Sequence, residues 1–358
     1  MKIVDENIKK IVIEAKMNWD NIAKPIASLG VMEDDVAKLC GIYGSAKGLR
    51  IDKRALVIMC ADHGVVAEQV TQTTSEVTRI VAENFTEGKS TVNQMCNYAN
   101  VDVFTVDIGM DTDYYQENEL VTNKVINRKI KRGTNNLAIE DAMSIEECKK
   151  AIETGIEIVG ALKDKGYKII ATGEMGIGNT TPTSILAGVL LDKSAEEVTG
   201  VGAGLSKSGL NKKLLVVKKA IERVKDNYNQ DMYKLISAVG GLEIAGMVGL
   251  FLGGLRYKLP IIIDGAISSV SALCAVNIDA ACADYMIASH VSGEMTGKLA
   301  LEKIGVSPMI DGGLRLGEGT GAIALMPMLD MAVSIYNNMG TFDNYNIEAY
   351  ERFEEEAL

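Results

Sequence analysis

Glu318 lies in the stretch 311–322, D-G-G-L-R-L-G-E-G-T-G-A. Gly317 and Gly319 flank it, Gly321 follows, and Arg315 stands three residues before. A carboxylate flanked by glycine has little steric cover. Glycine also lets the backbone approach a ligand closely or turn through positive φ. Glu318 can therefore be presented to a substrate as a general base. Read alone, the simpler account is a surface turn carrying a solvated glutamate. Glu174 is a second exposed-carboxylate candidate, inside T-G-E-M-G-I-G-N-T-T-P-T at 172–183. That loop follows an apolar run and opens a helical pattern. Pro182 suits the first helical turn, and Thr180 or Thr181 suits the cap. Gly173, Gly176 and Gly178 free the backbone, so its N–H groups and the helix dipole can form an anion site, most naturally for a phosphate. A tight strand-to-helix turn is the alternative. The spacing is neither a P-loop nor a dinucleotide fingerprint.

Further polar loops accompany these two. Gly200–Gly204, G-V-G-A-G, is another turn that could approach a phosphate, with Lys212 and Lys213 just beyond it. Two lysines at a helix start are usually a solvated face; Lys213 could instead neutralise a phosphate. Residues 62–75 are polar and threonine-rich, in the manner of a lid or recognition loop. Asp264, Gly265, Ser268 and Ser269 follow one apolar run, and His290, Ser292 and Glu294 follow another. For His290 a structural, hydrogen-bonding role is favoured over a site wall.

One device places all of these loops. A short apolar run ends in a polar, Gly-containing loop, and a helical pattern follows. The runs are Ala55–Ala61, Val101–Val106, Lys168–Ala171, Leu235–Val239, Pro260–Ile263 and Tyr285–Ala288. Between them, Ser144 and Glu147 form an S-x-x-E capping box. Asn211 is a candidate cap for the helix carrying Leu214, Val217, Ile221 and Val224. Apolar strands alternating with amphipathic helices imply a parallel sheet covered on both faces, with ligands at the carboxyl ends of its strands. Residues 1 to about 50 read as helical, as does the chain from Ala322 to about Asn338. The acidic tail 346–358 reads as a solvated or docking helix.

Composition narrows the function. A formal net charge of −11 argues against a nucleic-acid-binding surface, so an anionic ligand must be held locally by backbone N–H groups and a few cations. The N-terminus carries no apolar signal core and no run spans a bilayer, which reads as a cytoplasmic protein without membrane association. The six cysteines make no C-x-x-C pair and lie mostly in apolar runs, as buried thiols do. With only two histidines, His63 and His290, a His-based metal centre is not expected.

Five motifs then occur in order: G-E-M-G-I-G-N-T-T at 173–181, G-G-L-E-I-A-G-M at 240–247, I-I-D-G at 262–265, A-S-H-x-S-x-E at 288–294 and G-L-R-L-G-E-G-T-G-A at 313–322. Together they resemble the nicotinate-nucleotide:dimethylbenzimidazole phosphoribosyltransferases of cobamide lower-ligand assembly, over nearly the whole chain. The resemblance implies transfer of 5-phosphoribose from nicotinate mononucleotide to an aromatic acceptor, with release of nicotinate and no added cofactor. It implies a Rossmann-like parallel α/β domain over 51–324, and a small helical domain built from 1–50 and 325–358. It also implies a dimer with its site near the subunit interface. By motif, Glu318 would be the general base and Glu174 the second carboxylate. Gly176, Gly178, Asn179 and Thr180 would lie around the ribose phosphate, assisted by Lys213 and Ser292. Asp264, Arg315 and Leu316 would complete the substrate contacts. The sequence departs from the family pattern at Pro25–Gly30, at Gln69–Thr74, at Gly200–Gly204, at Ala266 and at Glu294–Gly297. These changes cluster where the acceptor or partner subunit would be. They are compatible with a phenol or p-cresol acceptor, and with a homodimer or a heterodimer in which this chain is one subunit.

Overall fold

The computed structural model of the chain describes residues 3–112, 117–202, 204–228 and 230–352. Among the described residues, six strands form one parallel sheet: β1 (Arg54–Ala61), β2 (Val101–Gly109), β3 (Ile126–Asn127), β4 (Ile169–Met175), β5 (Ile261–Ile263) and β6 (Met286–Ala288). Their spatial order is β3-β2-β1-β4-β5-β6. All eight residues of β1 are buried, and its apolar residues alternate strictly between two cores. Ala55, Val57, Met59 and Ala61 face one core; Leu56, Ile58 and Cys60 face the other. That is the pattern of a parallel sheet with helices on both faces. All six cysteines are buried free thiols.

Helices Ile145–Asp164 and Leu242–Tyr257 cover the first face. They approach so closely that a Cβ on Gly155 would collide with the backbone of Gly246 and Gly249. Ser144 and Glu147 form the expected reciprocal capping box. Helices Glu6–Asn21, Val31–Tyr43 and Thr320–Asn338 contribute to the core on the other face. The terminal segments expected to be helical are therefore largely so. Their grouping into a separate small domain, with the boundaries expected from sequence, is a proposal.

Four expectations are corrected. Leu235–Val239 is not a strand but the end of a helix, Met232–Val239. Its cap Asp231 accepts hydrogen bonds from the Tyr233 and Lys234 N–H groups. The sixth strand is instead the two-residue β3. The helix expected to start at Asn211 starts at Lys207, with the Ser206 side chain as its cap. Asn179, rather than Thr180 or Thr181, occupies the cap position of helix Thr180–Leu191, without a side-chain capping bond. In the acidic tail, residues 346–352 are not helical, and 353–358 lie outside the described residues.

Strand order decides where a ligand can sit. The chain runs from β1 outward through β2 to β3, then returns to start again at β4 beside β1. Crossovers therefore leave in opposite directions from β1 and β4. The crevice between their carboxyl ends is the topological switch point, where ligands bind in open parallel sheets.

Candidate active site

A cleft of about 340 Å³ opens at that edge. Glu174 comes from the end of β4, where it pairs in register with Met59 of β1. Gly176, Ile177, Asn179 and Thr180 follow it into the cleft. Asp264 arrives from the end of β5, His290 and Ser292 from beyond β6, and Arg315, Leu316 and Glu318 from the turn before helix Thr320–Asn338. Of the eleven site residues inferred from sequence, nine line this one cleft. Gly178 sits behind it at φ +100°, in the left-handed region, where glycine is favoured. Lys213 lies beneath it, fully buried. Its ammonium donates to Thr180 Oγ1 at 2.9 Å and to the Gly200 carbonyl at 3.0 Å. Burial pushes the Lys213 pKa down to about 8, partly opposed by Glu294. Lys212 points away and donates to Gln69. Ala203 lies outside the described residues, but Gly202 of the same turn lines the cleft.

The Glu318 turn is held in an uncommon conformation. Gly317, Glu318 and Gly319 all have positive φ, +78°, +61° and +88°. A non-glycine residue there is strained by about 1–3 kcal/mol, a cost found mainly where function requires it. The lock is Asp264. Its carboxylate accepts from the N–H of Gly319 at 3.1 Å, of Gly321 at 2.8 Å and of Ala322 at 3.0 Å. One buried anion thus caps helix Thr320–Asn338 at its positive end and fixes the turn. The sequence marked Asp264 as a substrate contact; in this structure its oxygens are taken up by backbone. His290 packs directly on Gly321, where an added Cβ would overlap the imidazole, and it shares a hydrogen bond with Ser289. Burial lowers its pKa, which favours the neutral ring.

Two carboxyl groups in the cleft are kept apart electrostatically. Burial, with the nearby Asp264 and Glu243 charges, pushes Glu174 up to about 8, although Asn179 Nδ2 donates to it. Burial and Asp264 raise Glu318 to about 6. Near neutrality one carboxyl therefore carries a proton while its neighbour is free to accept one. Such a split is how a pair of carboxyl groups divides acid and base duties.

The raised Glu174 has a consequence for stability. Its folded pKa exceeds the ordinary value of 4.5, so the folded state binds the extra proton. That contribution is complete below about pH 4.5 and is lost as pH rises through about 8. Glu174→Gln cannot ionise and escapes the loss. Its melting temperature relative to wild type is expected to rise between pH 5 and pH 8.5, measured by thermal denaturation at both values. A constant difference would exclude a buried, protonated Glu174.

The structure adds three features to what the sequence marked. Thr73, Val77 and Val81 form a largely apolar wall with Met175 and Ile177. Asp264 spends its hydrogen bonds on backbone N–H groups rather than on side chains. His63 and Glu243, far apart in sequence, form a buried pair beneath the Glu174 loop.

A family model described as Phosphoribosyltransferase matches residues 4–347. The chain belongs to the nicotinate-nucleotide–dimethylbenzimidazole phosphoribosyltransferase family. It is 43% identical over 352 residues to the enzyme of that name from Ruminiclostridium cellulolyticum, covering 97% of this chain and 98% of the relative. The namesake from Clostridium acetobutylicum is 42% identical, covering 96% and 95%. The crystal structure of CobT from Thermus thermophilus superposes with a TM-score of 0.88 at 33% identity, covering 95% of this chain and 99% of that one. This phosphoribosyltransferase therefore shares both sequence and fold with its relatives over nearly its full length.

Proposed function

We propose that the chain transfers 5-phosphoribose from nicotinate mononucleotide to an aromatic lower-ligand base, yielding an α-ribotide and nicotinate for cobamide synthesis. The observation that carries this reading is the pair of carboxyl groups with separated pKa values facing one cleft, beside a helix N-terminus and a buried lysine. The phosphate sits at Gly176–Thr180, where backbone N–H groups and the helix dipole favour an anion and Lys213 adds charge from below. Nicotinate leaves from a pyridinium and needs no proton. The acceptor must lose one, and Glu318 takes it. Attack opposite the leaving group converts a β-nucleotide to an α-ribotide. The wall of Thr73, Val77, Val81, Met175 and Ile177 receives the acceptor ring.

The acceptor is a benzimidazole of the kind named for the relatives, or a phenol such as p-cresol. The departures at Gln69–Thr74 favour keeping the second choice, because Thr73 brings a small hydroxyl to the wall. The active unit is a homodimer, or a heterodimer in which this chain is a weakly active subunit. The test is competition. The purified chain receives nicotinate mononucleotide with dimethylbenzimidazole, adenine, phenol and p-cresol together, and products are read by mass. One dominant α-ribotide is expected. Absence of nicotinate release with every acceptor would overturn the reading for the chain alone.

A further inference from the structure

Asp264 holds the Glu318 turn through the N–H groups of Gly319, Gly321 and Ala322, and two hydroxyl groups hold Asp264. The backbone ladder between β4 and β5 ends at the Ala171–Ile262 pair. Side chains continue it. Thr172 Oγ1 donates to the Ile262 carbonyl at 2.9 Å, the Thr172 and Ser268 hydroxyls lie 2.7 Å apart, and the Asp264 N–H donates to Ser268 Oγ at 3.1 Å. One assignment of hydrogens satisfies all three contacts. The single Thr172 hydroxyl hydrogen goes to the carbonyl, so Ser268 donates to Thr172 and accepts from Asp264. Ser268 stands in the first turn of helix Ala266–Ile278, so two strands and a helix meet at this pair. Both residues are buried, and a buried hydroxyl is costly unless it is hydrogen-bonded. Ser268 lines the cleft, but its hydroxyl is already committed. The turn held by Asp264 then rests back on β4. A Cβ on Gly173 would stand 2.9 Å from the Glu318 carbonyl oxygen, and one on Gly319 would stand 3.2 Å from the Thr172 carbonyl oxygen.

We propose that Thr172 and Ser268 are positioning residues for the transfer: their hydroxyl pair seats Asp264 and thereby sets the Glu318 side chain against Glu174. This rests on the reading of Glu318 and Glu174 as the working carboxyl groups. Glu174 lies two residues beyond Thr172 on β4. Glu318 immediately precedes Gly319, whose N–H Asp264 binds. The direct contact between the two, from the Glu318 N–H to Glu174 Oε1, is long at 3.5 Å. Their alignment therefore depends on the path that runs from β4 through Thr172, Ser268 and Asp264 into the turn. Remove either hydroxyl and that path is cut. Without Ser268 Oγ the Asp264 N–H loses its acceptor. Without Thr172 Oγ1 the Ser268 hydroxyl has nothing on β4 to bind. In both cases the end of β5 is free to shift against β4, and the Glu318 turn shifts with it. Displacement of a reacting group by about 1 Å lowers rates about 10²-fold.

Two measurements on the full chain test this, and one needs no turnover. The first is nicotinate release from nicotinate mononucleotide under steady-state conditions. Thr172→Val, which keeps the side-chain shape, and Ser268→Ala are each expected to lower kcat by up to about 10²-fold with KM for the nucleotide little changed. Thr172→Ser, which keeps the hydroxyl, recovers most of the lost rate. Equal losses in Thr172→Ser and Thr172→Val would mean that packing matters and the hydroxyl does not. The same substitution in the Glu318→Gln background separates positioning from general loosening. Thr172→Val acts through Glu318, so it should lower the residual rate of Glu318→Gln no further. A fall by the same factor in both backgrounds would overturn the proposal. The second measurement is the crystal structure of Thr172→Val beside that of wild type. Asp264 and the turn 317–319 are expected to be displaced relative to β4; a turn that superposes on wild type would also overturn the proposal. Absence of nicotinate release from wild type would refute the carboxyl-pair reading, and the two crystal structures would then decide by themselves whether the hydroxyl pair sets the turn.

Discussion

Glu318→Gln is expected to lower kcat by about 10²–10⁴-fold, the range spanned by loss of a positioned general base, with donor affinity little changed. The amide matches the carboxylate in size and cannot accept the acceptor's proton. The turn is held by Asp264 through the N–H groups of Gly319, Gly321 and Ala322, none of which involves the Glu318 side chain. The variant should therefore fold and present its amide where the Glu318 carboxylate stood. The pH profile sharpens the test. Glu318 is raised to about 6, so wild-type kcat/KM should fall as the medium is acidified through that value and the base becomes protonated. The alkaline side should follow Glu174 near 8. In Glu318→Gln the acidic limb disappears and the alkaline limb stays. A variant with full activity, or a profile that keeps its acidic limb, would remove Glu318 from the base role. Steady-state rates of nicotinate release from pH 5 to 9 decide it.

Some of this was readable from residue order and some could not be. Ala55–Ala61 and Pro260–Ile263 are unbroken apolar runs bounded by polar turns. That is the usual appearance of strands buried on both faces. Leu235–Val239 looks the same over five residues, and periodicity over so short a span cannot separate a buried strand from a buried helix. The deciding feature is Asp231, whose side chain caps the helix four residues upstream of the run. Ile126–Asn127 is too short to leave any pattern, and its pairing with Val106 and Asp107 depends wholly on the neighbouring strand. Glu174 and Glu318 were legible because glycines crowd around them, and Gly317 has both a backbone and a steric reason: its φ is +78°, and a Cβ there would stand 2.5 Å from the Glu174 side-chain oxygen Oε1. The His63–Glu243 pair was not legible. D-H-G and G-G-L-E are each ordinary turns, and only the placement of β1 beside the helix after Gly241 joins them.

Asp264→Asn is expected to be among the most damaging single changes in the cleft, although its side chain need never touch a substrate. The carboxylate offers acceptors on both oxygens, Oδ1 to Gly321 and Ala322 and Oδ2 to Gly319. Asparagine offers one carbonyl oxygen and one NH₂ group. Whichever way it is turned, the NH₂ meets a backbone N–H, and a buried donor is left unpaired at about 1–3 kcal/mol. The negative charge at the helix N-terminus is lost as well, for about 0.3–1 kcal/mol or somewhat more in a buried site. The folded state should therefore lose about 1–4 kcal/mol, read by chemical denaturation. Catalysis should suffer separately. With its lock removed, the left-handed Glu318 relaxes, and displacement of a reacting group by about 1 Å lowers rates about 10²-fold. A third effect separates this residue from a simple stability element. Asp264 raises both Glu174 and Glu318, so removing its charge should carry both limbs of the kcat/KM profile to lower pH together. Residual activity with unmoved limbs would mean that Asp264 only holds the turn. A shift of both limbs would show that one buried anion sets the shape of the turn and the pH at which its two carboxyl groups work.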